Sequence, residues 1–414
     1  MDHGGNALTA PIAQSERIDE LDALRGFALF GVLLVNFVGF AGGGLMATDA
    51  QLGALPTAQV DHVTDFMVEW LATNKANTLF ATLFGLGFYI QISRNGDKPG
   101  FARRYSRRLL WLLAFGVLNM TLLWVWDILN LYAVAGFLLL AVRGWRTRTL
   151  VAVGFILAML SSSVMNVLAD AAGITLMDWN PYSDAAVIER QKASLAGDYG
   201  QLVELFWRYT WVEWFAGGMF FFWIAYAGGR FMLGAAIGRS GVLDDIPAHL
   251  PVLRNIRNLT LAFGLALAFV VVALAEWPEQ LLGGTGETAA ELLKSPSALL
   301  LAAGYACMVA TGWHTPTGRK LLAPLRPVGQ MALTNYLMQG LAYAFVLFGV
   351  GPGLALGGKL GTLAVVGIVI AFFAFQSVFS HWWLARFRFG PMEWLWRWLT
   401  YGGSMPVIRR RATG

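Results

Sequence analysis

Residues 26–45 run for twenty positions with one polar side chain, Asn36, directly after a segment, 17–25, that carries five charges. Long apolar runs and short polar stretches then alternate as far as residue 384. A helix needs about 20 apolar residues to cross a hydrocarbon layer about 30 Å thick. Ten segments fit that need, at 26–45, 76–93, 108–126, 128–143, 148–169, 212–236, 257–276, 296–313, 328–349 and 361–384, the fourth of them short. Backbone groups in lipid must be satisfied within their own segment. The expected fold class is therefore all-α: a polytopic integral membrane helical bundle of about 10 transmembrane helices.

Loop charges orient this bundle, because short cytoplasmic loops are enriched in Lys and Arg. Residues 94–108 hold Arg94, Lys98, Arg103, Arg104, Arg107 and Arg108 against Asp97 alone, and Arg143, Arg146 and Arg148 mark the next basic junction. The alternate loops are acidic, with Asp49, Asp61, Asp65 and Glu69 after the first segment and Glu276, Glu279, Glu287 and Glu291 after the seventh. Both N and C termini are expected in the cytoplasm. The predicted division is a cytoplasmic N-terminal segment at 1–25, a transmembrane helical domain at 26–384, and a cytoplasmic, amphipathic, basic C-terminal tail at 385–414. The longest outer loop, 170–211, holds the breakers Gly173 and Pro181 and enough Leu, Phe and Trp for one or two short interfacial helices. In the tail, "GPMEWLWRWLTYGG" spaces Glu393 and Arg397 as an i,i+4 pair, with Trp394 and Trp398 for the headgroup layer and Arg409 to Arg411 for anionic lipid.

Composition agrees, with 57% hydrophobic and 13% charged residues, where soluble domains average about 25% charged. The net charge of +5 and pI near 9.4 do not indicate nucleic acid as a partner, since the basic residues gather in alternate loops; membrane lipid is the expected partner. Cys307 is the single cysteine, which excludes an intrachain disulfide and a cysteine-based metal cluster, and no metal-ligand motif is present. The first apolar run is too long, and too acidic at its flank, for a cleaved signal peptide.

Depth gives Asn36 company. Ten residues beyond Gly26, it lies about 15 Å into the membrane. Asn119 in the third segment, Asn335 and Gln339 in the ninth and Gln376 in the tenth stand at comparable depth, with Thr334 and Tyr336 beside Asn335. Arg25 and Asn36 are eleven residues apart and so share a helix face, giving a polar stripe from a cytoplasmic mouth at Arg25 to a pocket at Asn36. Two readings compete: a shared midplane cavity, or amides that hydrogen-bond between helices and hold them together.

Asp127, in "LLWVWDILNLYAV", is either the N-cap of the fourth helix or a functional carboxylate. His62 is the one histidine expected outside, in "AQVDHVTDFMVEWLATNKAN", with Asp61, Asp65 and Glu69 as possible partners; it is either a general base or a solvated surface residue. Gly85 and Gly87, with no strand before them, indicate close helix packing and not a nucleotide loop.

Taken together, "RIDELDALRGFALFGVLLVN", "TLFATLFGLGFYIQISR", "RRLLWLLAFGVLNMTLLWVWDILNLYAV", "LRPVGQMALTNYLMQG" and "RFRFGPMEWLWRWLTYGG" resemble the successive motifs of the YeiB-like bacterial membrane proteins, which carry the domain of unknown function 418. The resemblance spans nearly the whole chain and implies a multi-pass protein of the bacterial inner (cytoplasmic) membrane. Its first-helix pattern is similar to that of transmembrane acyltransferases, which take an acyl group from cytoplasmic acyl-coenzyme A (acyl-CoA) to an extracytoplasmic acceptor. Arg25 and Asn36 match that pattern. Many YeiB-like members carry histidine where this chain has Asn119, and amides perform no general-base chemistry. That leaves His62, then Asp127, as candidate catalytic groups, or a member without the reaction.

The functional expectation is thus an acyltransferase-like membrane protein with acyl-CoA as donor substrate and no metal. Arg25, Asn36, Asn119, Asn335, Tyr336, Gln339 and Gln376 would bind the substrate. The alternative is a carrier or a lipid- or small-solute-binding membrane protein without catalysis, and a purely structural role comes third.

Overall fold

A computed structural model describes residues 18–42, 45–96, 98–123, 125–159 and 182–402. The expected tail cluster Arg409 to Arg411, the stretch 160–181 and Trp124 lie outside them. Among the described residues the fold is helical throughout, without strands. The helices are α1 (Asp19–Gly42), α2 (Asp49–Gly53), α3 (Ala58–Leu71), α4 (Lys75–Asn95), α5 (Phe101–Leu122), α6 (Leu129–Ala141) and α7 (Thr147–Met159) in the first half. There follow α8 (Asp184–Leu195), α9 (Tyr199–Tyr209), a π-helical turn (Thr210–Ala216), α10 (Met219–Gly238), α11 (Ile246–Glu276), α12 (Pro278–Leu282) and α13 (Gly286–Trp313). The chain continues through α14 (Pro316–Leu322), α15 (Leu325–Gln330), α16 (Ala332–Leu347), α17 (Thr362–Arg386) and α18 (Pro391–Tyr401).

Among the described residues, five helices, α1, α10, α11, α13 and α17, are long and apolar enough to cross a membrane. Several of the expected segments differ from their predicted extent for physical reasons. Helix α5 spends its first turns on Arg103, Arg104, Arg107 and Arg108, and α6 has only 13 residues, about 20 Å of rise. The expected sixth segment is divided by the Gly217–Gly218 step between the π-helical turn and α10. The 182–211 part of the long loop forms α8 and α9, held down by Arg190, whose Nε donates to the Leu45 carbonyl at 2.6 Å and whose guanidinium lies over the Tyr209 ring.

A single large apolar core runs through α1, α5, α6, α10, α16 and α17, and a smaller one joins the start of α1 to α4 and α13. Gly85 sets the spacing of α4 and α10, since a Cβ there would collide with the Phe231 carbonyl. The bundle has two chemically distinct ends. One carries the arginine-rich α4–α5 connection, the start of α1 and the end of α17; the other carries α2, α3, the start of α4 and the start of α17. We call them the basic and acidic ends.

Candidate functional site

At the basic end, α1, α4, α5, α15, α16 and α18 enclose a cleft of about 290 Å³. Five guanidinium groups line it, from Arg25, Arg94, Arg104, Arg108 and Arg397, against two carboxylates, Asp22 and Glu393. Its inner wall is apolar, formed by Leu83, Phe80 and Phe84 of α4. Local contacts aim the polar groups. Asp22 Oδ1 holds Arg25 Nη1 at 2.7 Å one helical turn away, and Gly87 leaves the opposite wall free of a side chain, so Arg25 reaches into the cleft. Arg108 donates to Gln91 Oε1 at 2.9 Å and lies over the Trp396 ring, 3.9 Å from its centre. Arg104 is half-buried and has no acidic partner among the described residues. It is the cation most available to a ligand.

Helix α18 closes one side. Glu393 turns inward, and its Oε1 accepts from the backbone N–H groups of Leu333 and Thr334 at 2.7 and 3.0 Å, capping α16 from sixty residues away. Its Oε2 accepts from the Thr334 hydroxyl at 2.5 Å. Burial pushes the Glu393 carboxyl up, and these donors pull it back. The expected Glu393–Arg397 pair is thus corrected: the carboxylate is spent on a helix end, and Arg397 lies over the Phe389 ring. Four free N–H groups at a helix start offer a carboxylate more than an exposed i,i+4 pair does. Trp396 completes the docking, donating from Nε1 to the Arg108 carbonyl at 2.8 Å.

The structure divides the remaining site candidates among four other places. Asp127, fully buried where α5 turns into α6, accepts from Asn119 Nδ2 at 2.8 Å, Tyr336 Oη at 3.2 Å, and the backbone N–H groups of Leu129 and Asn130 at 2.8 and 3.1 Å. Asn119, Asp127 and Tyr336 therefore meet, as a knot that starts α6 and ties it to α5 and α16. Gly116 makes room for the knot, since a Cβ there would stand 2.7 Å from Asp127 Oδ2. Asn335, Gln339 and Gln376 form a ladder between α16 and α17: Gln339 Nε2 donates to Gln376 Oε1 at 3.3 Å, Gln376 Nε2 to the Asn335 carbonyl at 2.8 Å, and Asn335 Nδ2 to Ser380 Oγ at 2.9 Å. Asn36 faces the Tyr343 hydroxyl across the α1–α16 contact. None of the five carboxamides expected around one pocket is among the residues lining the cleft.

His62 stands at the acidic end. It is exposed, with Nε2 3.3 Å from Glu276 Oε1, on a helix fixed by Trp70 to the Leu265 carbonyl and by Asp61 to the Leu363 N–H. No group of three or more His, Cys, Asp or Glu that could hold a metal occurs among the described residues. One residue went unnoticed in the sequence: Arg230, fully buried and the only charged residue of α10. An ionisable group inside an apolar span is a stronger functional marker than an amide, and that signal was available.

An all-helical membrane protein with an arginine-lined cleft is the class these observations define. Residues 237–403 match the family model described as "Protein of unknown function (DUF418)". Uncharacterized protein YxaH of Bacillus subtilis (strain 168) is 31% identical over 97% of this chain and 98% of its own length. Uncharacterized protein YeiB of Escherichia coli (strain K12) is 29% identical over 95% of this chain and 99% of its own. The chain belongs to this YeiB-like DUF418 family. No solved structure matches it.

Proposed function

We propose that this protein binds an acyl-CoA through the arginine-lined cleft and passes the acyl group to an acceptor on the other side of the bacterial inner membrane. In this reading the ten sequence segments cross or enter the bilayer, both termini are cytoplasmic, and the basic end faces the cytoplasm. The observation that carries it is the pairing of five guanidinium groups with an apolar inner wall in one cleft. Phosphates of a coenzyme A head would be held by Arg104, Arg25 and Arg94, and the acyl end by Phe80, Leu83 and Phe84. The test is binding to the purified protein in detergent. Dodecanoyl-CoA should raise the thermal midpoint and bind more tightly than CoA or dodecanoate alone, and increasing salt should weaken it. Absence of binding by short- and long-chain acyl-CoA alike would remove the proposal.

A second reading, a carrier or binder of an anionic amphiphile without catalysis, is favoured by one observation. Asp127 and the amides around it are occupied by helix contacts, and His62 lies at the opposite end from the cleft. Proteoliposomes loaded with labelled acyl-CoA separate the two: a transferase yields free CoA and an acylated product, whereas a carrier moves the label chemically unchanged.

A further inference from the structure

The apolar wall of the cleft is also a partition. Phe84 stacks on Phe231 with centroids 4.6 Å apart and meets Tyr132 edge-on at 5.5 Å; Tyr132 in turn contacts Phe231 at 5.1 Å and Phe80 at 6.0 Å. These four rings come from α4, α6 and α10 and form one aromatic layer. Phe80 and Phe84 show one face to the cleft.

Arg230 adjoins this layer. It precedes Phe231, and its Nε donates at 2.9 Å to Thr78 Oγ1, two residues before Phe80. It is also within electrostatic reach of Tyr132. The guanidinium is fully buried, with its carbon 3.4 Å from the centre of the Tyr226 ring. Its other partners are neutral, the carbonyls of Tyr226 at 3.1 Å and Ala158 at 3.5 Å, and Nη2 has none among the described residues. No carboxylate compensates it among the described residues. A buried cation left in this condition is costly, and removing it for an apolar side chain of similar volume often stabilises a protein. A cost of that kind persists where it serves a site.

We infer that Arg230 is the deep subsite of the cleft, receiving the thioester carbonyl oxygen of a bound acyl-CoA through Nη2 when the Phe80–Phe84–Tyr132–Phe231 layer parts. The inference rests on the reading of the cleft as an acyl-CoA site. Arg94 and Phe80 are fourteen residues apart on α4, about 21 Å of rise. A coenzyme A head at the arginines thus points an extended pantetheine arm along α4 toward the layer. An uncompensated guanidinium in a water-poor interior polarises a carbonyl strongly, because no solvent competes for its donor.

The decisive pair of ligands is dodecanoyl-CoA and S-dodecyl-CoA, which differ in the thioester oxygen. The wild type should bind the thioester at least tenfold more tightly than the thioether. Arg230→Met should bring the two affinities together while keeping or raising the thermal midpoint of the ligand-free protein, and Arg230→Gln should do the same if the methionine variant does not fold. Equal affinities in the wild type, or a preference that survives both variants, overturns the role of Arg230 and leaves the cleft reading standing. Binding of neither ligand by the wild type overturns both. A lowered midpoint with an unchanged preference makes Arg230 a structural group.

Discussion

The basic cleft and the Asp127 knot are both polar constructions inside an apolar bundle, and they differ in what remains unspent. In the knot, both carboxylate oxygens accept two donors each, and two of those donors are backbone groups that start a helix. In the cleft, guanidinium groups outnumber carboxylates and Arg104 has no acidic partner among the described residues. The carboxylate that holds these helices together is saturated by other parts of the chain. Polar groups that wait for a ligand are left with capacity and a space beside them.

The comparison breaks most sharply at Asp127. Asp127→Ala orphans four donors in an apolar interior and should cost about 3–5 kcal/mol, read as loss of the monodisperse folded species in detergent. Gly116→Ala presses a methyl group on the same carboxylate and should cost about 1–3 kcal/mol, with ligand affinity unchanged in the protein that folds. In the cleft the signs reverse: Arg104→Ala should leave the thermal midpoint unchanged and weaken dodecanoyl-CoA by about tenfold. Glu393→Gln keeps one acceptor for the start of α16 and loses the charge, and should lower stability by about 1 kcal/mol in a thermal melt.

The smallest effect is one of pH at the acidic end. Burial raises the carboxyls of Asp65 and Glu69 above their ordinary values. Between the ordinary and the raised value the folded state holds more protons than the unfolded one. Stability is therefore gained as pH falls into that window and lost as it rises through it. The thermal midpoint should increase as pH falls toward the ordinary carboxyl range, and Glu69→Gln should reduce that slope.

Helices that depend on their own composition were legible in the sequence. The apolar run of α1 and the charged turn before it placed Arg25 at a mouth, and the structure puts Arg25 in the cleft. Asp127 was legible as either a cap or a functional carboxylate, and its bonds to the Leu129 and Asn130 N–H groups are those of a cap. Glu393 was not, since its neighbour in sequence is Arg397 and its partner in space is a helix start sixty residues earlier. Depth gave the carboxamides a common level but no common direction, and direction depends on how helices rotate when they pack. Arg230 was visible as a single charge in the glycine-rich run "AYAGGRFMLGAA", but its surroundings were not, since they depend on how α4, α6 and α7 close around it.

The bond between Trp396 and the Arg108 carbonyl joins residues 288 positions apart. At ordinary rates of synthesis that separation is roughly 15–60 s. Throughout that interval the chain carries the arginines of α1, α4 and α5 but not yet the α18 wall, so the cleft can be completed only at the end of synthesis, at a time set by translation and independent of ligand.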